Sequence, residues 1–179
     1  MAIALIKNGA DVNARDKYER TALMGHHLHP EVITALVKSG ADVNARDKGG
    51  FTPLMYAANM NYSNPEVITT LIKNGADVNA KSQGGWTALM QAASLNRNPE
   101  VITALLENGA DANARNPDDC TALIIAARNR NSEAIIALLE NGADVKLKDK
   151  DGKMAIDYAK ERKELENTDA LRELNDRSF

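Results

Sequence analysis

Imidazole is the side chain that most readily takes a metal near neutral pH, and all three histidines of this chain fall together, at His26, His27 and His29. His26 and His29 share a helical face by their spacing. A metal centre needs further converging ligands, and no Cys or carboxylate stands nearby with zinc-like spacing. The structural alternative is that the rings fill space beside a missing helix. A second candidate is the recurring acid at Asp11, Asp42, Asp77, Asp111 and Asp144. Each stands once per sequence period, so the acids suit local turn hydrogen bonding better than paired acid–base work. Residues 11–15 resemble the opening of a calcium loop, but Arg15 stands at a ligand position and the loop glycine and bidentate Glu are missing. The one thiol, Cys120, follows Asp118 and Asp119, whose charges disfavour a thiolate. It is expected on a surface hairpin, as a contact residue. No nucleophile–base–orienter set and no phosphate loop is recognisable, so neither an enzyme nor a cofactor is expected.

What positions these residues is a repeat. Gly-Ala-Asp recurs at Gly9, Gly40, Gly75, Gly109 and Gly142, with spacings of 31, 35, 34 and 33. Thr-x-Leu begins at Thr21, Thr52, Thr87 and Thr121, and Met154 continues the series in degraded form with the same spacings. Two markers in one register make coincidence a poor account. In the central unit Thr52 caps a helix opened by Pro53, and Asn64 caps a second opened by Pro65. Val67, Ile68, Leu71 and Ile72 line one face of that second helix, and Gly75 ends it. Neither helix is long enough to stand alone in water, so stability must come from stacking in a one-dimensional array.

These residues carry a resemblance. Thr52-Pro53-Leu54-Met55-Tyr56-Ala57-Ala58, followed by Asn74-Gly75-Ala76-Asp77-Val78-Asn79-Ala80, resembles the ankyrin repeat, and the likeness recurs over nearly the whole chain. It implies an all-α repeat solenoid of paired antiparallel helices with β-hairpin-like loops. It also implies protein binding along a concave face made by hairpin tips and first helices. The chain divides as a partial unit over 1–20, central repeats over 21–51, 52–86, 87–120 and 121–153, and a capping repeat over 154–179. The family usually has His where this chain has Met24, Met55, Met90, Ile124 and Asp157, so packing of soft Met side chains is expected to replace its hydrogen bonds. That substitution and the cap around Tyr158 look similar to bacterial members. Location stays open between cytoplasm, periplasm and secretion.

Composition narrows the partner. The net charge is −3 and no basic run exceeds a few positions, which argues against nucleic acid. No apolar stretch reaches the roughly 20 residues of a spanning helix. The aromatics are the sharpest positive signal. Tyr18, Phe51, Tyr56 and Trp86 fall at hairpin or first-helix positions, where the resemblance places the binding face, and Arg20, Met60, Gln91 and Cys120 join them. The expectation is therefore a non-catalytic module gripping a partner protein there, as a monomer. A rival is self-association, giving a weak homodimer, through apolar Ile3, Leu5 and Ile6 at an N-terminal edge. By alignment, residues 1–7 are the end of a second helix without its partner, either a piece of a longer chain or a frayed end.

Overall fold

The computed structural model describes residue 4 and residues 8–25, 28–59, 64–95 and 97–178. Ile3, Leu5, Ile6, His26, His27 and Met60, named above, lie outside the described residues. Among those described, the helices are α1 (Pro30–Lys38), α2 (Pro53–Asn59), α3 (Pro65–Lys73), α4 (Ala88–Leu95), α5 (Pro99–Glu107), α6 (Ala122–Arg128), α7 (Ser132–Glu140), α8 (Ala155–Lys160) and α9 (Asp169–Ser178). No strand occurs among them; the hairpin-like loops are turns. The result is an all-helical repeat solenoid.

Local chemistry sets the element ends. The amide of Glu66 donates to the Asn64 side chain at 2.9 Å, and Glu100 does the same to Asn98 at 3.1 Å. Pro65 and Pro99 follow directly, and Pro lacks the N–H that a first helical position leaves unpaired. The amides of Met55, Met90 and Ile124 reach Thr52, Thr87 and Thr121 Oγ1 at 3.4, 3.3 and 3.4 Å. Gly75 leaves α3 with φ +95, a left-handed backbone that costs glycine no Cβ clash.

The first of these units departs from expectation. Thr21 is followed only by a 3₁₀ turn over Ala22–Met24, ending at Gly25. Its hydroxyl is buried without a hydrogen-bond partner among the described residues, whereas the equivalent threonines cap full helices. The last described pair of helices is α8 and α9, with a 3₁₀ turn over Lys163–Leu165 between them. Helix α9 buries Ala170 and Leu174 and turns its charges outward.

Stacking follows two rows. First helices pack on first helices (α2, α4, α6, α8), second on second (α1, α3, α5, α7, α9), and each pair packs within its unit. Ala57, Ala58, Ala92, Ala93, Ala126 and Ala127 are all buried in the first row, where small side chains let neighbouring helices approach closely. Met24, Met55, Met90 and Ile124 are buried where the family commonly has His. Asp157, at the same position of the last unit, accepts the amide of Met154 at 2.8 Å.

Between units, side chains bridge to backbone. Asn13 Nδ2 donates to the Gly40 carbonyl at 2.9 Å, and Asn13 Oδ1 accepts the Asp42 amide at 2.9 Å. Asn44 does the same to Gly75 and Asp77, and Asn79 to Gly109 and Asp111. Asn113 Oδ1 accepts the Asp144 amide at 2.9 Å. A second ladder runs beside it: Arg15, Arg46, Lys81 and Arg115 donate to the carbonyls of Arg46, Lys81, Arg115 and Lys148. The turn tips are also joined, by amides of Lys48, Gln83 and Lys150 donating to Tyr18, Gly49 and Asp118 carbonyls. Pro117 has no amide hydrogen for the same bond to the Gly84 carbonyl. There the proline ring closes on the neighbouring turn instead, and a Cβ on Gly85 would lie 2.5 Å from Pro117 Cδ.

Gly85 and Gly152 share a left-handed backbone, φ +71 and +74, but a Cβ at Gly152 meets nothing within 4 Å. Gly152→Ala should therefore cost only the left-handed strain, roughly 1 kcal/mol, and Gly85→Ala distinctly more. Urea midpoints of the two variants check this; equal losses would show that the Pro117 contact relaxes freely. Asn79→Ala removes both halves of one bridge at an exposed site, so a loss of about 1 kcal/mol is expected in the same experiment.

Candidate protein-binding face

Each turn tip is shaped by one polar side chain. Asp47 Oδ1 accepts the amides of Gly49 and Phe51, both at 2.8 Å, and Asp16 Oδ1 accepts those of Tyr18 and Arg20 at 2.8 and 2.9 Å. Asn116 treats Asp118 and Cys120 alike, Asp149 treats Asp151 and Lys153 alike, and Ser82 Oγ accepts from Trp86. The side chains at Arg20, Phe51, Trp86, Cys120 and Lys153 thus leave the turns from equivalent, hydrogen-bonded backbone positions. The recurring Asp11, Asp42, Asp77, Asp111 and Asp144 do the same for the other turn: each accepts the amide two residues on, at 2.9 to 3.0 Å.

The structure brings four of the expected residues together. The Tyr18 ring, 50% exposed, has Lys17 Nζ at 4.9 Å and the Arg20 guanidinium at 5.0 Å from its centroid. Arg20 is clamped on Asp16, Nε to Oδ2 at 2.8 Å. Half-buried Phe51 meets Tyr56 edge to face, centroids 6.1 Å apart, and the Tyr56 hydroxyl donates to Asp47 Oδ2 at 2.7 Å. Burial, then the hydrogen bond to Asp47, pushes the Tyr56 phenol up to about 12, while nearby Arg20 pulls the other way. Arg20 therefore lies between the rings of Tyr18 and Tyr56.

Other expectations need correction. Cys120 is not a surface residue; it is 1% exposed, and Arg128 donates a guanidinium N–H to its sulfur at 3.4 Å. Its small side chain sinks where Phe51 and Trp86 reach outward, and burial pushes the thiol up despite Arg128. Gln91 is buried as well, and Asn59 Nδ2 donates to its Oε1 at 2.6 Å, so it ties α2 to α4. Trp86 is half-buried against the core, so only part of its ring faces outward.

A second cluster was missed. Tyr158 donates to Asp149 Oδ2 at 2.6 Å, with Arg128 and Lys153 at 5.3 and 5.0 Å from its ring centroid. Tyr158 and Asp149 repeat the Tyr56–Asp47 pair in the capping unit. The register carries the signal, since Tyr158 occupies in its unit the place Tyr56 has in its own. Among the described residues no three His, Cys, Asp or Glu side chains are placed to hold a metal. No helix among them is long and apolar enough to cross a membrane.

The paired tyrosines make an alkaline prediction. Hydrogen bonding to Asp149, then burial, sets Tyr158 at about 12, like Tyr56. A pKa raised above the usual 10.0 means that the stabilisation is complete below pH 10 and is lost as pH climbs through 12. Asp47→Asn should lower the Tyr56 midpoint and leave that of Tyr158 in place, read by phenolate absorbance. No movement would leave burial alone as the cause.

Comparison with known proteins agrees with the repeat fold. The family model described as ankyrin repeats matches in three copies, over residues 1–82, 63–149 and 89–176. No curated protein matches the chain. Ankyrin repeats are in general protein–protein interaction modules and typically non-catalytic. With matches spanning nearly all of its length, the chain belongs to the ankyrin-repeat family.

Proposed function

We propose that this protein holds a partner protein along the face formed by its turn tips and first helices. The observation that carries the proposal is Tyr18. It is a large aromatic ring, half exposed, on a hydrogen-bonded turn between two cations. A ring held in this way gives contact area at little entropic cost, and its hydroxyl adds a polar handle. Arg20 and the outward edges of Phe51, Tyr56 and Trp86 extend the surface. Gln91 and Cys120 lie beneath it and serve it as support. Interface energy concentrates on such aromatic and Arg anchors.

Tyr18→Ala is the direct test, because the ring lies outside the core and its loss should leave the unfolding midpoint in place. Capture from lysate of the source cells, beside wild type, should lose the retained protein. The measured affinity should fall by about 2 kcal/mol or more if Tyr18 is a hot spot. Undiminished affinity with the variant would reject this face. Trp86→Ala is a poorer probe, since its half-buried ring also packs on the core.

A further inference from the structure

Beyond the aromatic end, the first helices close on a different chemistry. A depression of about 500 Å³ is lined by Arg97, Arg128, Asn129, Arg130 and Glu164. Three guanidiniums thus gather against one carboxylate, in a chain whose net charge is −3. Arg128 ends α6 and is steadied by the Cys120 sulfur and the Tyr158 ring. Asn129 donates to Ser94 Oγ at 2.8 Å, tying the ends of α4 and α6 across the depression. Arg130 has φ +61, a left-handed backbone that glycine adopts freely and arginine at a cost. Its guanidinium meets Glu164 at 2.6 Å. Arg97 is exposed and makes no hydrogen bond or ion pair among the described residues.

We propose that this depression receives a carboxylate side chain from an acidic segment of the partner protein. The inference rests on the protein-binding reading above and supplies the partner's chemistry at the other end of the face. Guanidinium presents a planar fork of donors that suits carboxylate. Glu164 on Arg130 displays that fit within the chain itself, and it occupies only one of the three arginines. A peptide is favoured over a free anion by Leu95. It is 53% exposed, one of two large hydrophobics so exposed among the described residues, and it stands two positions before Arg97. An acidic segment carrying an apolar residue meets both.

The test is a titration of the whole chain, following arginine Nε–H signals by NMR. Three probes are compared: a capped peptide of Glu and Leu, the same peptide with Gln for Glu, and inorganic phosphate. The Glu peptide should shift Arg97 and Arg128 saturably and less at high salt. Arg97→Gln should weaken that binding by roughly two- to fivefold, as for an exposed charge pair. Glu164→Gln should tighten it, because Arg130 loses its internal carboxylate. Urea midpoints confirm that both exposed substitutions leave folding intact. The proposal is overturned by equal shifts from the Gln peptide, by no shift, or by weaker binding in Glu164→Gln. Phosphate acting at lower concentration than the peptide also overturns it, leaving a free-anion site. Tyr18→Ala separates the two ideas. Lost capture with silent arginines sinks only the pocket, while shifted arginines with undiminished capture sink only the aromatic face.

Discussion

The asparagine that closes four of the five Gly-Ala-Asp strings carries the register of the stack. Asn13, Asn44 and Asn79 each give an N–H to a glycine carbonyl of the next unit and take the amide two residues further on. Apolar contact between helices is non-directional and tolerates sliding; a side chain that must meet a carbonyl and an amide together does not. Helices of seven to nine residues, as α2 and α3 are, cannot persist alone in water. The core therefore exists only where units meet, and the bridges decide how they meet. The Arg15, Arg46, Lys81 and Arg115 ladder repeats the device with one donor to one carbonyl. Arg15 and Arg46 use the same nitrogen to reach a second carbonyl, at Glu19 and Gly50.

The two ends test that logic in opposite ways. At the fifth string the asparagine position holds Lys146. Closure passes to α9, whose Leu174 fills the core while Arg177 donates to the Leu139 carbonyl at 2.7 Å. At the other end the first helix shrinks to the 3₁₀ turn over Ala22–Met24, and Thr21 keeps a buried hydroxyl that caps nothing.

What was legible in the sequence was what each unit decides for itself. Thr52, Pro53, Asn64, Pro65 and Gly75 state their roles through capping and φ preference, which need no knowledge of neighbours. The recurring aspartates were read correctly as turn formers for the same reason. Burial of Gln91 and Cys120 was not legible, because it depends on what the adjacent unit places above them: Asn59 over one, Arg128 over the other. The Asn bridges also escaped a reading within single units, since both of their partners lie about one period away. Tyr158 repeats the position of Tyr56 in a unit whose Thr-x-Leu marker is degraded, so its bond to Asp149 shows only in the structure.

The turn tips separate scaffold from contact. Asp16, Asp47, Ser82, Asn116 and Asp149 fix the backbone at the tips, so the residues at Arg20, Phe51, Trp86, Cys120 and Lys153 are released from shaping it. That freedom is why one position carries a cation, an aromatic ring or a thiol without altering the stack. It also makes the face asymmetric. The half-exposed Tyr18 ring stands at one end of the row of tips, and Arg97, Arg128 and Arg130 line a depression further along it. Aromatic burial supplies affinity with little sense of direction. A cluster of cations adds direction, because charge complementarity fixes register more than it adds affinity. On the proposed reading, a partner that meets both the Tyr18 ring and the arginines is held in one orientation.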